Sequence, residues 1–145
     1  MQRVSRASVT VDGTVVGQIG AGLLVLVGVE RGDGPTDIDY VASKLRGLRV
    51  FADDEGRMNR SVVDTGGGLL VVSQFTLLGD VRRGRRPAFD AAASPGDARA
   101  AYEALLARLR GDGLAVQSGE FQAHMDVDLV NDGPVTLLLD SRRLF

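Results

Sequence analysis

The segment Gly68 to Leu78, GLLVVSQFTLL, is an apolar run that ends in three neutral hydrogen-bonding side chains. Leu69 to Val72 is apolar on both faces, which predicts a central strand that is buried on both sides. Ser73, Gln74 and Thr76 follow directly, so we expect them at the end of this strand, where a rigid core holds them towards a ligand. The sequence therefore predicts a candidate site at the end of a buried strand.

A second stretch, Asn131 to Thr136 (NDGPVT), indicates a place where the main chain itself is functional. Gly133 permits backbone conformations that other residues avoid, and Pro134 fixes its own φ, directly before an apolar strand predicted at Val135 to Leu139. We expect this stretch to meet the candidate site at Ser73–Thr76.

Strands are predicted along most of the chain. Asp12-Gly13 is the strongest short hairpin signal, because it lies between an alternating segment and the strand predicted at Thr14 to Ile19. Further strands are predicted at Leu23–Val29, in a short region that contains Val50, Phe51, Val62 and Val63, and at Leu114–Val116 and Phe121–Val130.

Two main helices are predicted from their start signals. The first begins near Thr36, which with Asp39 three residues later resembles a capping box. The second has Ser94 as its N-cap, Pro95 in its first turn and Asp97 at its third position. Since strands outnumber helices and do not alternate with them, we predict a single α+β domain with a mixed, strongly curved sheet or open barrel and two main helices.

Size and composition limit the class of protein. A chain of 145 residues fits one domain, which buries roughly 68–70% of its unfolded surface. Cysteine is absent, which excludes a disulfide framework, a thiolate metal site and a cysteine nucleophile. The longest apolar run, Ile19 to Val29, is shorter than the ~20 residues that cross a bilayer, and the chain starts without a signal-like apolar core. We therefore expect a cytoplasmic protein with no membrane partner.

The distribution of charge leaves two interpretations open. The formal net charge of −2 argues against a nonspecific nucleic-acid coat. Four arginines nevertheless form a short basic loop after the SQFT stretch, where they would neutralise a few phosphates: Arg82, Arg83, Arg85 and Arg86. Alternatively, arginine replaces lysine throughout the chain, whose 17 basic residues include a single lysine, Lys44, and the loop is solvated surface.

The polar residues of the candidate site limit its mechanism. Ser73, Gln74 and Thr76 provide hydroxyl and amide groups, but no strong general base lies near them in sequence. A threonine nucleophile needs such a base. The residues therefore favour oxyanion stabilisation by backbone N–H groups around Phe75 and Thr76, with side chains that orient the substrate. The alternative is a strand end whose polar side chains serve structure only.

His124, Asp126 and Asp128 are the best candidates for a metal site, because residues two apart on a strand project from one face. Ligands spaced along a straight strand converge poorly, however, and the opposite face carries Phe121 and Met125. We therefore interpret the polar residues as solvated surface and expect no metal and no other cofactor. Phe121 and Met125 are expected in the core or in a pocket wall.

The strings SQFT (Ser73–Thr76) and NDGPVT (Asn131–Thr136) together resemble the signature of the D-aminoacyl-tRNA deacylases, the D-tyrosyl-tRNA deacylase family. This resemblance covers almost the whole chain. Similar stretches are QRVSRASVTV at Gln2–Val11, GLLVLVGVE at Gly22–Glu30, Met58 with Asn59, RRPAF at Arg85–Phe89, ASP at Ala93–Pro95, and Phe121–Leu129.

The resemblance implies a homodimeric enzyme that hydrolyses the ester bond of D-aminoacyl-tRNA, and of glycyl-tRNA, while it rejects L-aminoacyl substrates. Ser73–Thr76, including Gln74 and Phe75, is then the catalytic segment, and the 2′-hydroxyl of the terminal adenosine assists. Gly133 and Pro134 are implied to form a Gly-cis-Pro element that enters the partner subunit's site and selects chirality.

Substrate contacts are expected from Phe121, Met125 and Asn131, with Phe121 beside the terminal adenosine, and the four arginines are expected to bind tRNA. The competing function is a noncatalytic RNA-binding or regulatory module, in which the arginines bind phosphate and Ser73–Thr76 serves structure only. Turnover of charged tRNA separates these two functions.

Overall fold

A strongly curved mixed sheet forms the centre of the computed structural model, which describes residues 1–145. The strands are β1 (Gln2–Val11), β2 (Thr14–Ile19), β3 (Gly22–Val27), β4 (Phe51–Ala52), β5 (Met58–Arg60), β6 (Gly68–Ser73), β7 (Val116–Ser118) and β8 (Asp126–Thr136). The helices are α1 (Pro35–Gly47), α2 (Val62–Thr65) and α3 (Pro95–Gly111), and a 3₁₀ turn, Phe75–Leu78, follows β6.

The sheet is so strongly curved that it nearly closes into a barrel. β3, β6 and β7 are parallel neighbours, whereas β1 runs antiparallel to β8 along one edge and to β3 and then β2 along the other. β2 therefore leans over β6 and β7, and a Cβ atom added at Gly17 would lie 2.5 Å from the Ser118 carbonyl oxygen. The predicted α+β fold with a curved sheet or open barrel is confirmed.

The two faces of β6 pack into different apolar clusters. Leu70 and Val72 point into the barrel, where they meet Val4 and Val9 of β1. Leu69 and Val71 point the other way, towards the helices, in a cluster completed by Leu23, Val25, Ala42, Leu45, Val50, Val62, Tyr102, Leu105, Leu106 and Leu109. This confirms that the strand is buried on both faces.

Local capping signals were reliable at one long helix and misleading at the other. Ser94 caps α3 as predicted, because its side chain accepts a hydrogen bond from the Asp97 amide at 3.2 Å. The start predicted near Thr36 lies one residue from the observed start at Pro35, but the predicted cap is wrong, since the N-cap is Gly34, whose amide donates to Asp37 at 2.8 Å. Pro35 at the first helical position, with its fixed φ, begins the helix earlier than Thr36.

Several predicted strand boundaries also differ from the structure: β7 is Val116–Ser118 and not Leu114–Val116, and β3 ends at Val27 and not at Val29. Val62 and Val63 lie in the short helix α2, which Ser61 caps by accepting the Asp64 amide at 3.2 Å, so local capping outweighs β-branching there. β8 begins at Asp126 and not at Phe121. It includes the NDGPVT stretch and ends at Thr136, so the strand predicted at 135–139 is the last part of β8 only.

No helix of the structure is both long enough and apolar enough to cross a membrane. The Asp12-Gly13 turn is as predicted, because both residues have positive φ, which a tight hairpin of this kind requires.

We predict that Gly22→Ala destabilises the fold strongly, because a Cβ atom at Gly22 would lie 2.0 Å from the Gly68 carbonyl oxygen across the β3–β6 pair. Overpacking against backbone should lower the free energy of unfolding by about 3 kcal/mol, as measured by urea denaturation. Gly20→Ala is the matched control, since a Cβ there meets nothing within 4 Å. Equal losses in the two variants would contradict the close contact.

Candidate active site

The carboxyl ends of the three parallel strands meet at one edge of the sheet. Ser73 ends β6, and the next residue, Gln74, donates its amide hydrogen to the Val27 carbonyl at the end of β3, 2.7 Å away. On the other side of β6, the Gly119 amide donates to the Val71 carbonyl at 3.2 Å. SQFT therefore lies at a strand end, as predicted, and is flanked by the ends of two neighbouring strands.

The 3₁₀ turn leaves two amide groups free. The hydrogen bonds that close it are donated by later residues, from the Leu77 amide to the Gln74 carbonyl at 3.2 Å and from Gly79 to Thr76 at 3.0 Å. The first N–H groups of a helical turn have no acceptor within it, and the Gln74 side chain does not cap them. The amides of Phe75 and Thr76 are thus available to a ligand.

Gly28 allows the turn to pack directly on the end of β3. A Cβ atom at Gly28 would lie 2.3 Å from a Leu78 methyl carbon and 3.1 Å from the Leu77 Cβ. The turn is therefore held against the sheet, which fixes the direction of its free amides.

Gln74 carries an unsatisfied acceptor at this edge. Its side-chain Nε2 donates to the Thr76 hydroxyl at 3.0 Å, while its buried Oε1 has no hydrogen-bond partner. A buried acceptor left unpaired costs about 1–3 kcal/mol, so such groups are usually paired by a ligand or water. No carboxylate or imidazole hydrogen-bonds to the Thr76 hydroxyl, whose partner is the side-chain amide of Gln74.

The outer side of the turn is apolar and exposed. The Phe75 side chain is 57% exposed, and its ring meets Phe89 edge to face at 5.0 Å between centroids. Leu77 and Val81 beside it are also exposed. An apolar rim around polar groups is typical of a surface that another molecule covers.

The four arginines of the predicted basic loop have different environments. Arg82 forms a fork with Asp80, with Nε 2.9 Å from Oδ1 and Nη2 2.6 Å from Oδ2. The hydrogen bonds from the Arg82 guanidinium and amide lower the pKa of Asp80 to about 2. Arg83, Arg85 and Arg86 are exposed and form no ion pair within the chain. Three of the four guanidinium groups are therefore free to bind phosphate.

Phe121 and Met125 both point inwards, but into different clusters. Phe121 stacks on Tyr102 with 6.0 Å between ring centroids, under the Arg99 guanidinium at 4.6 Å. Met125 packs on the barrel side, where its sulfur would lie 2.7 Å from a Cβ atom at Gly119. Both residues border the strand-end edge, on opposite sides of the sheet.

The polar residues that alternate with them face solvent. The His124 side chain is 97% exposed, and Asp126 and Asp128 are also exposed. The interpretation of this set as solvated surface is confirmed by these exposures.

Gly133 and Pro134 lie in a bulge of β8, and the peptide bond between them is cis. Gly133 has φ +145°, a conformation that favours glycine. Asn131 braces the bulge, since its Oδ1 accepts the Val135 amide at 2.7 Å and its Nδ2 donates to the Val135 carbonyl and the Thr136 hydroxyl, each at 3.2 Å. The Asn131 side chain, predicted to bind substrate, is thus engaged within its own strand.

Arg3 braces the same bulge from β1 and was not identified from the sequence. Its Nε donates to the Asp132 carbonyl at 2.9 Å and its Nη1 to the Val50 carbonyl at 2.6 Å. The side chain is only 14% exposed. A basic residue in a half-buried strand normally extends into solvent, so the sequence carried no signal for this role.

The structure does not bring the bulge and SQFT together within one chain. The bulge lies opposite Arg3, which aligns with Leu23 and, one strand further, with Leu69, four residues before Ser73. No hydrogen bond joins the bulge to Ser73–Thr76, and two strands, β1 and β3, lie between β8 and β6 in the sheet. The expected meeting of the two stretches therefore does not occur inside a single subunit.

Several curated proteins that resemble this chain are named D-aminoacyl-tRNA deacylase. A family model described as D-Tyr-tRNA(Tyr) deacylase matches residues 1–140. The D-aminoacyl-tRNA deacylase of Symbiobacterium thermophilum is 61% identical over 145 residues, which are 100% of this chain and 96% of that relative. The D-aminoacyl-tRNA deacylase of Desulfitobacterium hafniense is 59% identical over 145 residues, 100% of this chain and 97% of the relative.

Two solved structures have the same fold. The c-Myc DNA Unwinding Element Binding Protein superimposes with a TM-score of 0.90 at 40% identity, covering 96% of this chain and 95% of its own. A probable eukaryotic D-amino acid tRNA deacylase has a TM-score of 0.74 over 92% of both chains, and at 20% identity it supports the fold alone. From the full-length matches, the chain belongs to the D-Tyr-tRNA(Tyr) deacylase family and is a hydrolase of the aminoacyl-tRNA ester bond.

Proposed function

We propose that this deacylase hydrolyses D-aminoacyl-tRNA and glycyl-tRNA at the Ser73–Thr76 edge and spares L-aminoacyl-tRNA. The observation that carries the proposal is the pair of free amides at Phe75 and Thr76 beside the unpaired Gln74 Oε1. Since charged tRNA is used in translation, a cytoplasmic location is part of the proposal.

The free amides suit the chemistry of ester hydrolysis. Attack of water on the ester carbonyl places negative charge on its oxygen, and two fixed N–H donors stabilise that charge without having to reorganise. An aminoacyl ester is reactive, so holding it against such donors supplies much of the acceleration. Gln74 Oε1 then accepts a hydrogen bond from a hydroxyl or ammonium group of the substrate.

Catalysis in this proposal is noncovalent. Thr76 lacks the histidine or carboxylate that would remove its proton, and its hydroxyl is engaged by the Gln74 amide at 3.0 Å. Thr76 therefore contributes its backbone amide and orients Gln74, and it does not form an ester with the amino acid.

Chiral selection is proposed to occur across a homodimer. The bulge at Gly133–Pro134 is separated from Ser73 of its own chain by β1 and β3, while the turn presents an exposed apolar rim at Phe75 and Leu77. A partner subunit that covers this rim would bring its own bulge to the site. Rigid backbone close to the substrate's α-carbon would then exclude an L side chain and admit hydrogen or a D side chain.

The direct test is turnover of charged tRNA. We expect the purified protein to release D-tyrosine from D-tyrosyl-tRNA and glycine from glycyl-tRNA, and to leave L-tyrosyl-tRNA intact, as measured with radiolabelled amino acids. Gln74→Ala should lower the rate of D-tyrosine release by about tenfold or more, because the substrate loses its acceptor. Binding of tRNA without any release would contradict hydrolysis, and release of both enantiomers would contradict chiral selection.

A mixture of two variants tests the cross-subunit arrangement. Gly133→Ala should distort the bulge, because its Cβ would lie 2.8 Å from a Val135 methyl carbon at a φ that alanine avoids. Dimers of Gly133→Ala and Gln74→Ala, each deficient alone, should regain selective hydrolysis when subunits are exchanged. Random pairing leaves about a quarter of all sites intact, since each mixed dimer has one complete site.

No recovery in mixed dimers, confirmed as mixed by two different affinity tags, would overturn the arrangement. A mixture in which exchange is blocked by a covalent cross-link within each homodimer serves as the control and should remain deficient.

The arginine loop is proposed to bind the tRNA backbone. Replacing Arg83, Arg85 and Arg86 by glutamine should weaken tRNA binding and reduce the slope of log K against log salt by about 2, because phosphate contacts act through counterion release. Arg82→Gln is the matched control and should change the slope less, since Asp80 already holds that guanidinium. A triple variant with the slope of the wild type would identify the loop as solvated surface.

Nucleic-acid binding that is separate from hydrolysis is the second candidate function. It is favoured by the free guanidinium groups of the loop and by the similarity to a structure named for binding a DNA element. The turnover assay separates the candidates, because a binding module would retain tRNA without releasing the amino acid.

A further inference from the structure

Tyr102 of α3 contacts the sheet at the edge that carries the candidate site. Its side chain is 3% exposed, and its hydroxyl donates to the Val71 carbonyl at 2.8 Å. The same carbonyl accepts the Gly119 amide at 3.2 Å. One oxygen thus joins helix α3 to β6 and to the residue that follows β7. Burial raises the pKa of Tyr102, so the hydroxyl keeps its proton and remains a donor.

Both strands enter the site just beyond this junction. Val71 precedes Ser73, the last residue of β6, by two residues. Gly119 directly follows the parallel strand β7 and precedes Phe121 by two residues. A shift of the Val71 carbonyl therefore moves the segment that carries Gln74 and the turn. A shift of Gly119 moves Phe121.

The ring of Tyr102 supports Phe121 directly. The two rings stack at 6.0 Å with an interplanar angle of 30°, and the Arg99 guanidinium lies 4.6 Å from the centre of the Phe121 ring. Phe121 is therefore held by two residues of the same helix, one turn apart.

We propose that Tyr102 is a positioning residue that fixes the candidate catalytic segment Ser73–Thr76 relative to the neighbouring strand end that carries Phe121. Its hydroxyl acts on Ser73–Thr76 through the Val71 carbonyl, and its ring acts on Phe121. This inference rests on the proposed function, in which the ester binds at Ser73–Thr76.

A purely structural role would not require the hydroxyl. Phenylalanine would fill the same space without burying a polar group, and the Val71 carbonyl already has a ladder partner in Gly119. The hydrogen bond from the Gly119 amide fixes the distance of the Val71 carbonyl from β7, and the hydrogen bond from the Tyr102 hydroxyl also fixes its direction. Such precision matters at the site, since a displacement of about 1 Å can cost a reaction about 100-fold.

Tyr102→Phe tests the hydroxyl alone, because it keeps the stacked ring. We expect kcat for D-tyrosyl-tRNA to fall about tenfold while KM stays within about twofold of the wild-type value. Phe121→Leu should lower kcat as well, because Tyr102 then loses its stacked aromatic partner. A general loss of stability is distinguished by a control variant with an equal loss of stability.

Leu109→Val is the stability control, since Leu109 is fully buried on the same helix, seven residues after Tyr102. Its kinetics should match the wild type even where urea unfolding shows a loss equal to that of Tyr102→Phe. The inference is overturned if Tyr102→Phe has the kcat of the wild type, or if Leu109→Val lowers kcat as much. An inactive wild-type protein would instead overturn the proposed function, and with it this inference.

Discussion

The burial of β6 on both faces is the constraint on which the rest of the structure depends. Leu70 and Val72 fill the barrel while Leu69 and Val71 hold the two long helices, so the strand cannot shift by one residue without exchanging both clusters. This fixed register extends to the first polar residues beyond it. The direction of Gln74 and of the turn is therefore decided by packing on the interior side of the strand.

Parts of this structure could be predicted because local chemistry and tertiary packing agree. The apolar run of β6, the Ser94 cap and the alternation along Phe121–Leu129 each have one dominant local cause, and the structure has all three. The prediction failed where two local signals competed. At α1, the capping pattern at Thr36 predicts a different cap from the one at Gly34. At α2, the β-branched side chains of Val62 and Val63 favour a strand, whereas the Ser61 cap favours the helix that is observed.

The features of the candidate site also divide into those that the sequence predicts and those that it does not. The segment Ser73–Thr76 could be placed at the end of a strand because a polar string ends an apolar run. The contacts that hold the bulge could not, since Arg3 reaches Asp132 and Val50 across long sequence separations that no periodicity records. Likewise, the unpaired oxygen of Gln74 depends on burial by neighbours from other elements, and the residue type alone does not predict it.

The bracing of the bulge has a consequence for assembly. Arg3 and the Asn131 side chain hold the bulge through hydrogen bonds within its own chain, so the bulge is preorganised. In the proposed dimer, such an element would lose little conformational entropy on association, and the interface would gain affinity without additional contact area. Because the bulge does not change shape on association, its conformation would be the same whether or not the surface that it contacts is occupied.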